Sequence, residues 1–117
     1  MKKFFLILFI IILSKLLNAN DEGRVLFFGN CIACHGEYGK RVAPYFIEIK
    51  GYYMVAYPKR EDFIENMAKW LSMPNAKNSK LPDAIAKYKL MPYLAIDLET
   101  LRDISAYIYD SSDFGGL

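Results

Sequence analysis

The chain has 117 residues, of which 54% are hydrophobic and 24% charged, with 15 Lys and Arg side chains against 13 Asp and Glu. This length is enough for one small domain with a marginal core. The charges are nearly balanced and form no basic stripe, so nothing in the composition supports nucleic-acid binding.

The N-terminal residues have the pattern of an export signal. Two lysines precede an uninterrupted apolar run at 4–13, and Leu-Asn-Ala at 17–19 offers a cleavage site. A run of ten is short for a membrane-spanning helix, which needs about 20 residues, although two leucines extend it beyond Lys15. We therefore predict a signal peptide at 1–19, a mature domain at 20–117 and a periplasmic location, with an uncleaved membrane anchor as the alternative. Cleavage would remove three lysines and leave 12 basic against 13 acidic side chains.

The pattern after this segment predicts a first helix over about 21–34. Asp21 and Glu22 lie near its start, where the helix dipole favours negative charge. Gly23 and Phe27 are four residues apart and share one face. A glycine inside a helix costs roughly 0.5–1 kcal/mol relative to alanine, so Gly23 is either tolerated by chance or packed closely by another element.

The end of this helix carries a C-x-x-C-H sequence formed by Cys31, Cys34 and His35, which are both cysteines and the only histidine of the chain. On one helical turn, positions i, i+3 and i+4 share a face. Two thiols can therefore add to the two vinyl groups of a haem while the adjacent imidazole reaches the iron. The motif predicts one covalently attached c-type haem, with His35 as an axial ligand.

Other uses of this motif fit less well. A dithiol redox pair is expected in a thioredoxin-like βαβ context, which the helical patterns do not supply. A closed structural zinc site needs four Cys or His ligands, and the chain has three such residues in total. A structural disulfide would leave His35 without a role. A thiol–disulfide oxidoreductase remains the less favoured alternative.

The remaining sequence predicts an all-α fold of four to five helices joined by loops that contain Gly and Pro. No alternating strand pattern is comparable to the helical ones, although residues 52–55 could be briefly extended. The predicted elements are a loop at 36–44, a helix at 61–71 closed by Pro74, a short helix from Pro82 that ends before Pro92, and a final amphipathic helix capped by Asp97.

Three features together resemble a class I c-type cytochrome: a first helix leading into C-x-x-C-H, a Met-Pro pair before the final helix, and an aromatic residue late in that helix. The resemblance implies a small cytochrome c fold around one haem. It places Gly23 and Phe27 where the last helix crosses the first, with Tyr107 packed into the crossing. It also implies that the carbonyl of Pro44 accepts a hydrogen bond from Nδ1 of His35, which would orient the imidazole. An ordinary loop proline is the alternative.

The resemblance further implies a methionine as the second axial ligand, and the mature region contains Met54, Met67, Met73 and Met91. Met67 lies on the apolar face of a predicted helix and is expected to fill the core. Met73 and Met91 both precede proline. We assign Met91 to the iron because it lies a few residues before the final helix, as the family's ligand does, with Met73 or a haem without methionine as alternatives. A thioether ligand favours ferrous iron and raises the reduction potential.

Two features of the middle region have alternative interpretations. Residues 51–58 are unusually aromatic and are followed by Trp70; we expect them to line the haem crevice and core, with a partner-docking patch as the alternative. A set of lysines could steer an acidic partner, although a solvated face is the default. These are Lys77, Lys80, Lys87 and Lys89.

The sequence thus predicts a periplasmic electron carrier and not an enzyme, because it shows no paired carboxylates, nucleophile with base, or phosphate loop. It would pass single electrons from a dehydrogenase donor to an oxidase or reductase acceptor. Contact with a membrane is expected only through such partners or an uncleaved signal. The alternative is a dedicated electron-accepting subunit of a periplasmic dehydrogenase, such as a sulfite dehydrogenase.

Overall fold

The structure, a computed structural model, describes residues 1–36 and 41–114, with the backbone alone for 16–21. Throughout these residues the regular elements are helical, which confirms the predicted all-α class. They are α1 (Lys2–Asn30), α2 (Ile32–His35), α3 (Phe46–Ala56), α4 (Arg60–Ser72), α5 (Pro82–Tyr88) and α6 (Leu98–Asp110), with a 3-10 turn at Ala76–Asn78.

Helix α1 differs from its prediction at both ends. It begins at Lys2 because no glycine or proline interrupts the chain before Gly23, so the apolar run continues into the predicted helix. At the other end Cys31 has φ −113° and ψ −36°, and the C-x-x-C-H turn forms the separate helix α2. The division into a signal at 1–19 and a domain at 20–117 stays a prediction. None of the helices in the described ranges combines the length and apolar character that crossing a membrane requires.

Helix α6 organises the domain by packing against both α1 and α4. Asp97 caps it as predicted, since its carboxylate accepts a hydrogen bond from the backbone N–H of Thr100 at 3.0 Å. Its buried face follows the 3–4 residue spacing of an amphipathic helix. That face consists of Leu101, Ile104, Ser105 and Ile108.

The crossing of α1 and α6 explains the glycine inside α1. A Cβ atom built on Gly23 would lie 2.6 Å from the carbonyl oxygen of Asp103 and 3.3 Å from Cβ of Tyr107. One turn further along α1, the rings of Phe27 and Tyr107 have centroids 5.1 Å apart. The structure therefore confirms that the last helix crosses the first at Gly23, where only a residue without a side chain fits.

The middle of the chain is more helical than the sequence predicts. The suggestion of an extended segment at 52–55 is wrong, because these residues lie within α3. Phe46 and Tyr53, two turns apart, bury one face of α3 in the core, and this burial outweighs the β-propensity of the Tyr and Val residues. The predicted helix at 61–71 is present as α4. Residues 37–40 of the predicted loop lie outside the described residues.

Candidate cofactor site

Helix α2 is a single turn that carries Cys34 and His35, and Cys31 is its N-cap residue. Cys31 is half-buried and Cys34 exposed, and neither forms a disulfide. Burial, with a smaller contribution from Cys34, raises the pKa of the Cys31 thiol to about 11. A thiol–disulfide oxidoreductase needs a thiolate near neutral pH, and Cys31 is poorly suited to be that thiolate.

The imidazole of His35 is oriented by the loop that follows α2. Its Nδ1 lies 2.8 Å from the carbonyl oxygen of Pro44, the pairing that the resemblance implies. Burial lowers the pKa of His35, and the hydrogen bond to Pro44 opposes part of that change. Because a carbonyl can only accept, Nδ1 carries the proton, and the lone pair of Nε2 is left for a metal.

A cavity of about 350 Å³ adjoins this turn, within the size range of ligand sites in proteins. Its lining is mostly apolar and comes from α3, α4, α5, α6 and the loop between α5 and α6. The structure brings all the predicted site residues to this one cavity. They are Cys31, Cys34, His35, Pro44 and Met91.

The four candidate methionines occupy different places. Met91 is half-buried and lines the cavity. Met67 also lines it, but this side chain is 2% exposed and belongs to the core, as predicted. Met54 packs against the core from outside the cavity lining, and Met73 is 76% exposed. Of the two methionines that precede proline, only Met91 therefore reaches the cavity.

The loop that carries Met91 contains two residues in the left-handed region of backbone conformation. Lys89 has φ 74° and ψ 172°, and Ala95 has φ 56°. The conformation of Lys89 belongs to a region that is essentially restricted to glycine. Such conformations cost about 1–3 kcal/mol each and persist only where the surroundings enforce them, often at ligand clamps.

The aromatic middle segment is divided between the cavity and the surface. Tyr53 and Trp70 line the cavity, as predicted, and the indole N–H of Trp70 donates to the carbonyl of Asn75 at 2.9 Å. Tyr52, in contrast, lies exposed on α3. Among the four lysines considered as a steering set, Lys80 and Lys89 line the cavity.

The cavity also contains a polar group that sequence reasoning missed. Tyr88 lines the cavity, and its buried hydroxyl has no hydrogen-bond partner among the described residues. The guanidinium carbon of Arg41 lies 5.8 Å from the centre of the Tyr88 ring. The sequence does contain an indication of this group. Tyr88 lies three residues after Ile85, which puts its hydroxyl on the apolar face of α5.

These residues fit a haem. Two thiols and an imidazole nitrogen on one turn match the two vinyl groups and the iron, and the apolar lining matches the macrocycle. The carboxylates of a haem are acceptors of the kind that the Tyr88 hydroxyl lacks. The guanidinium of Arg41, near the Tyr88 ring, is itself paired with the carboxylate of Glu48 at 2.8 Å.

Comparison with known families agrees with this geometry. The model of the Cytochrome c family matches residues 20–112. Searches of curated proteins and of solved structures found no match. Because the family match spans most of the chain, the protein belongs to the cytochrome c family, whose members bind haem covalently and use it for electron transfer.

Proposed function

We propose that this protein is an exported single-haem electron carrier whose iron is held by His35 and Met91. The observation that carries the proposal is that Cys31, Cys34, His35 and Met91 line the same apolar cavity. The export pattern at 1–19 supports a periplasmic location. Filled axial positions would leave no site for a substrate, which is why we propose a carrier and not an enzyme.

Each element has a separate task in this proposal. Cys31 and Cys34 form thioethers that fix the ring, and Pro44 holds His35 in one orientation through Nδ1. The apolar lining excludes water and lowers the reorganisation that accompanies a change of charge. When bound, the haem supplies an iron that accepts and returns one electron. Met91 favours the ferrous state through its thioether sulfur.

The absorption spectrum of protein made with haem-attachment machinery tests the proposal. We expect haem that stays attached after denaturation, no alkylatable thiol at Cys31 or Cys34, and a six-coordinate spectrum with the weak long-wavelength band of iron–methionine bonding. Recovery of two free thiols from correctly processed protein would exclude the covalent haem. A five-coordinate spectrum would show an open iron site and would argue against a simple carrier.

A second candidate function, a permanent subunit of a periplasmic dehydrogenase, is favoured by the outer face of α3. Ile47 and Val55 lie two turns apart on this helix and are 60% and 87% exposed. Exposed apolar side chains on one face favour a protein partner. Size-exclusion chromatography of a native extract separates the two functions, because a free carrier elutes near its monomer mass and a subunit elutes with its enzyme.

Replacement of Tyr88 by phenylalanine tests whether its hydroxyl donates to a haem carboxylate. The ring and its packing stay, and only the donor is lost. A hydrogen-bond donor stabilises the ionised form of a haem carboxylate. The negative charge of that form favours ferric iron, so the reduction potential of the iron falls as the pH rises through the pKa of the carboxylate. Loss of the donor should move that step to higher pH by about one unit, which corresponds to roughly 1.4 kcal/mol.

The matched control is Tyr93→Phe, because Tyr93 is 70% exposed and lies outside the cavity lining. The charged groups near the Tyr88 ring are the same in both variants; they are Lys87 and Arg41, the latter paired with Glu48. Potentiometric titration gives the reduction potential of wild type and of both variants at pH values within about two units of neutral, from about pH 5 to about pH 9. Identical pH profiles for wild type and Tyr88→Phe would show that the hydroxyl has another partner.

A further inference from the structure

We propose that the C-terminal segment, residues 111–114, seals the His35 side of the haem site. In this proposal Lys50 and Tyr107 anchor the segment, and Phe114 is a positioning residue that holds Phe46 against the imidazole. The inference rests on the proposed function, because it concerns His35 as an axial ligand.

Lys50 fixes the point where the chain leaves α6. Its Nζ donates to the carbonyl oxygens of Tyr109 at 2.8 Å and Ser111 at 2.7 Å. The last carbonyls of a helix have no partner within the helix and carry partial negative charge, so an ammonium group is favourable there. Lys50 therefore ties the end of α6 to α3.

Tyr107 and Ser111 then direct the segment back along α6. The hydroxyl of Tyr107 donates to the carbonyl oxygen of Asp113 at 2.6 Å. The backbone N–H of Asp113 donates to Oγ of Ser111 at 2.9 Å. These bonds place the next residue, Phe114, over the domain, where its side chain is 8% exposed.

Phe114 closes a chain of aromatic contacts that reaches His35. Its ring centroid lies 5.8 Å from that of Phe27 and 6.0 Å from that of Phe46. Phe46 in turn lies 4.8 Å from the imidazole, at an interplanar angle of 50°. The outer surface of Phe46 is thus covered by Phe114, and the imidazole that donates to Pro44 is covered by Phe46.

Helix α3 connects the anchoring residue Lys50 to Phe46, the ring that covers the imidazole. Phe46 and Lys50 are four residues apart on that helix and share one face. Nζ of Lys50 lies 5.8 Å from the centre of the Phe114 ring. Because one helix carries both the anchor and the covering ring, release of the C-terminal segment should loosen Phe46 and admit water to the hydrogen bond between His35 and Pro44.

The test is the solvent-exchange rate of the His35 Nδ1 proton, measured by NMR on the haem-loaded, ferrous, full-length protein. In Phe114→Ala we expect exchange at least about tenfold faster than in wild type, because local opening controls exchange in a native protein. Lys50→Met should change the rate in the same direction. Lys69→Met removes the same charge from an exposed site on α4 and should leave the rate unchanged.

The exchange rate of a buried backbone amide, that of Ile108 in α6, distinguishes local opening at His35 from a general loss of stability. The proposal requires that the His35 proton accelerates more than the Ile108 amide. Equal acceleration of both, or an unchanged His35 rate in folded Phe114→Ala, would overturn it. If Phe114→Ala does not retain its haem, Phe114→Leu keeps most of the apolar volume and takes its place. Absence of haem from wild type would instead defeat the proposed function, so the two failures are distinguishable.

Discussion

Replacement of Met91 by alanine should leave the haem attached, abolish the iron–methionine absorption band and lower the reduction potential. The thioethers proposed for Cys31 and Cys34 would not depend on Met91, so attachment should be unaffected. Loss of the thioether ligand removes a preference for ferrous iron. We expect a decrease of at least about 0.1 V, a fraction of the roughly 0.8 V that axial ligands span in haem proteins. The variant should also bind exogenous ligands that wild type excludes.

Met73→Ala is the matched control for this experiment. Met73 and Met91 are both followed by proline, but Met73 is 76% exposed and lies outside the cavity lining. Its replacement should change neither the band nor the potential. If Met73→Ala abolishes the band and Met91→Ala does not, the ligand assignment is wrong. If neither variant loses the band, neither methionine is the ligand.

Replacement of Gly23 by alanine should destabilise the protein by about 2 kcal/mol, the usual scale for overpacking a close contact. The added Cβ would lie 2.6 Å from the backbone oxygen of Asp103, so α1 and α6 must separate. This outward shift also disturbs the contact between Phe27 and Tyr107. Alanine gains up to about 1 kcal/mol over glycine in a helix, which offsets only part of the loss. Guanidinium unfolding of the haem-loaded protein, followed by circular dichroism, measures the change.

Gly29→Ala provides the control within the same helix. A Cβ atom on Gly29 would meet nothing within 4 Å, so only the helical preference of alanine remains. This variant should be as stable as wild type or up to about 1 kcal/mol more stable. A similar loss of stability in both variants would show that the close contact between α1 and α6 is not the cause of the destabilisation by Gly23→Ala.

The parts of the site that sequence predicts are those encoded by local spacing. The positions of Cys31, Cys34 and His35 on one turn follow from the periodicity of a helix, and the cap at Asp97 follows from its place before an amphipathic pattern. The glycine inside a helix left two interpretations of Gly23 open, chance tolerance and close packing, and the family resemblance favoured close packing.

The parts that sequence does not predict depend on contacts distant in the chain. Helix α3 forms because Phe46 and Tyr53 are buried by other elements, and its own residues carry no clear helical periodicity. Lys50 bonds to Tyr109, 59 residues away, and a lone lysine gives no sign of such a partner. The hydroxyl of Tyr88 is notable only once burial shows that it lacks a partner among the described residues.

The backbone conformation of Lys89 would make the two proposed axial bonds unequal. His35 lies beside a cysteine that would be covalently attached to the haem, and its imidazole is fixed by Pro44 at 2.8 Å. Met91 has no such neighbour. Two residues before it, Lys89 has a backbone conformation that residues other than glycine avoid. In the proposed ligation, a bond from Met91 to the iron would therefore have to hold the loop against a conformational preference to relax. The methionine side would then be the weaker half of the proposed coordination, and denaturants or competing ligands should open it first.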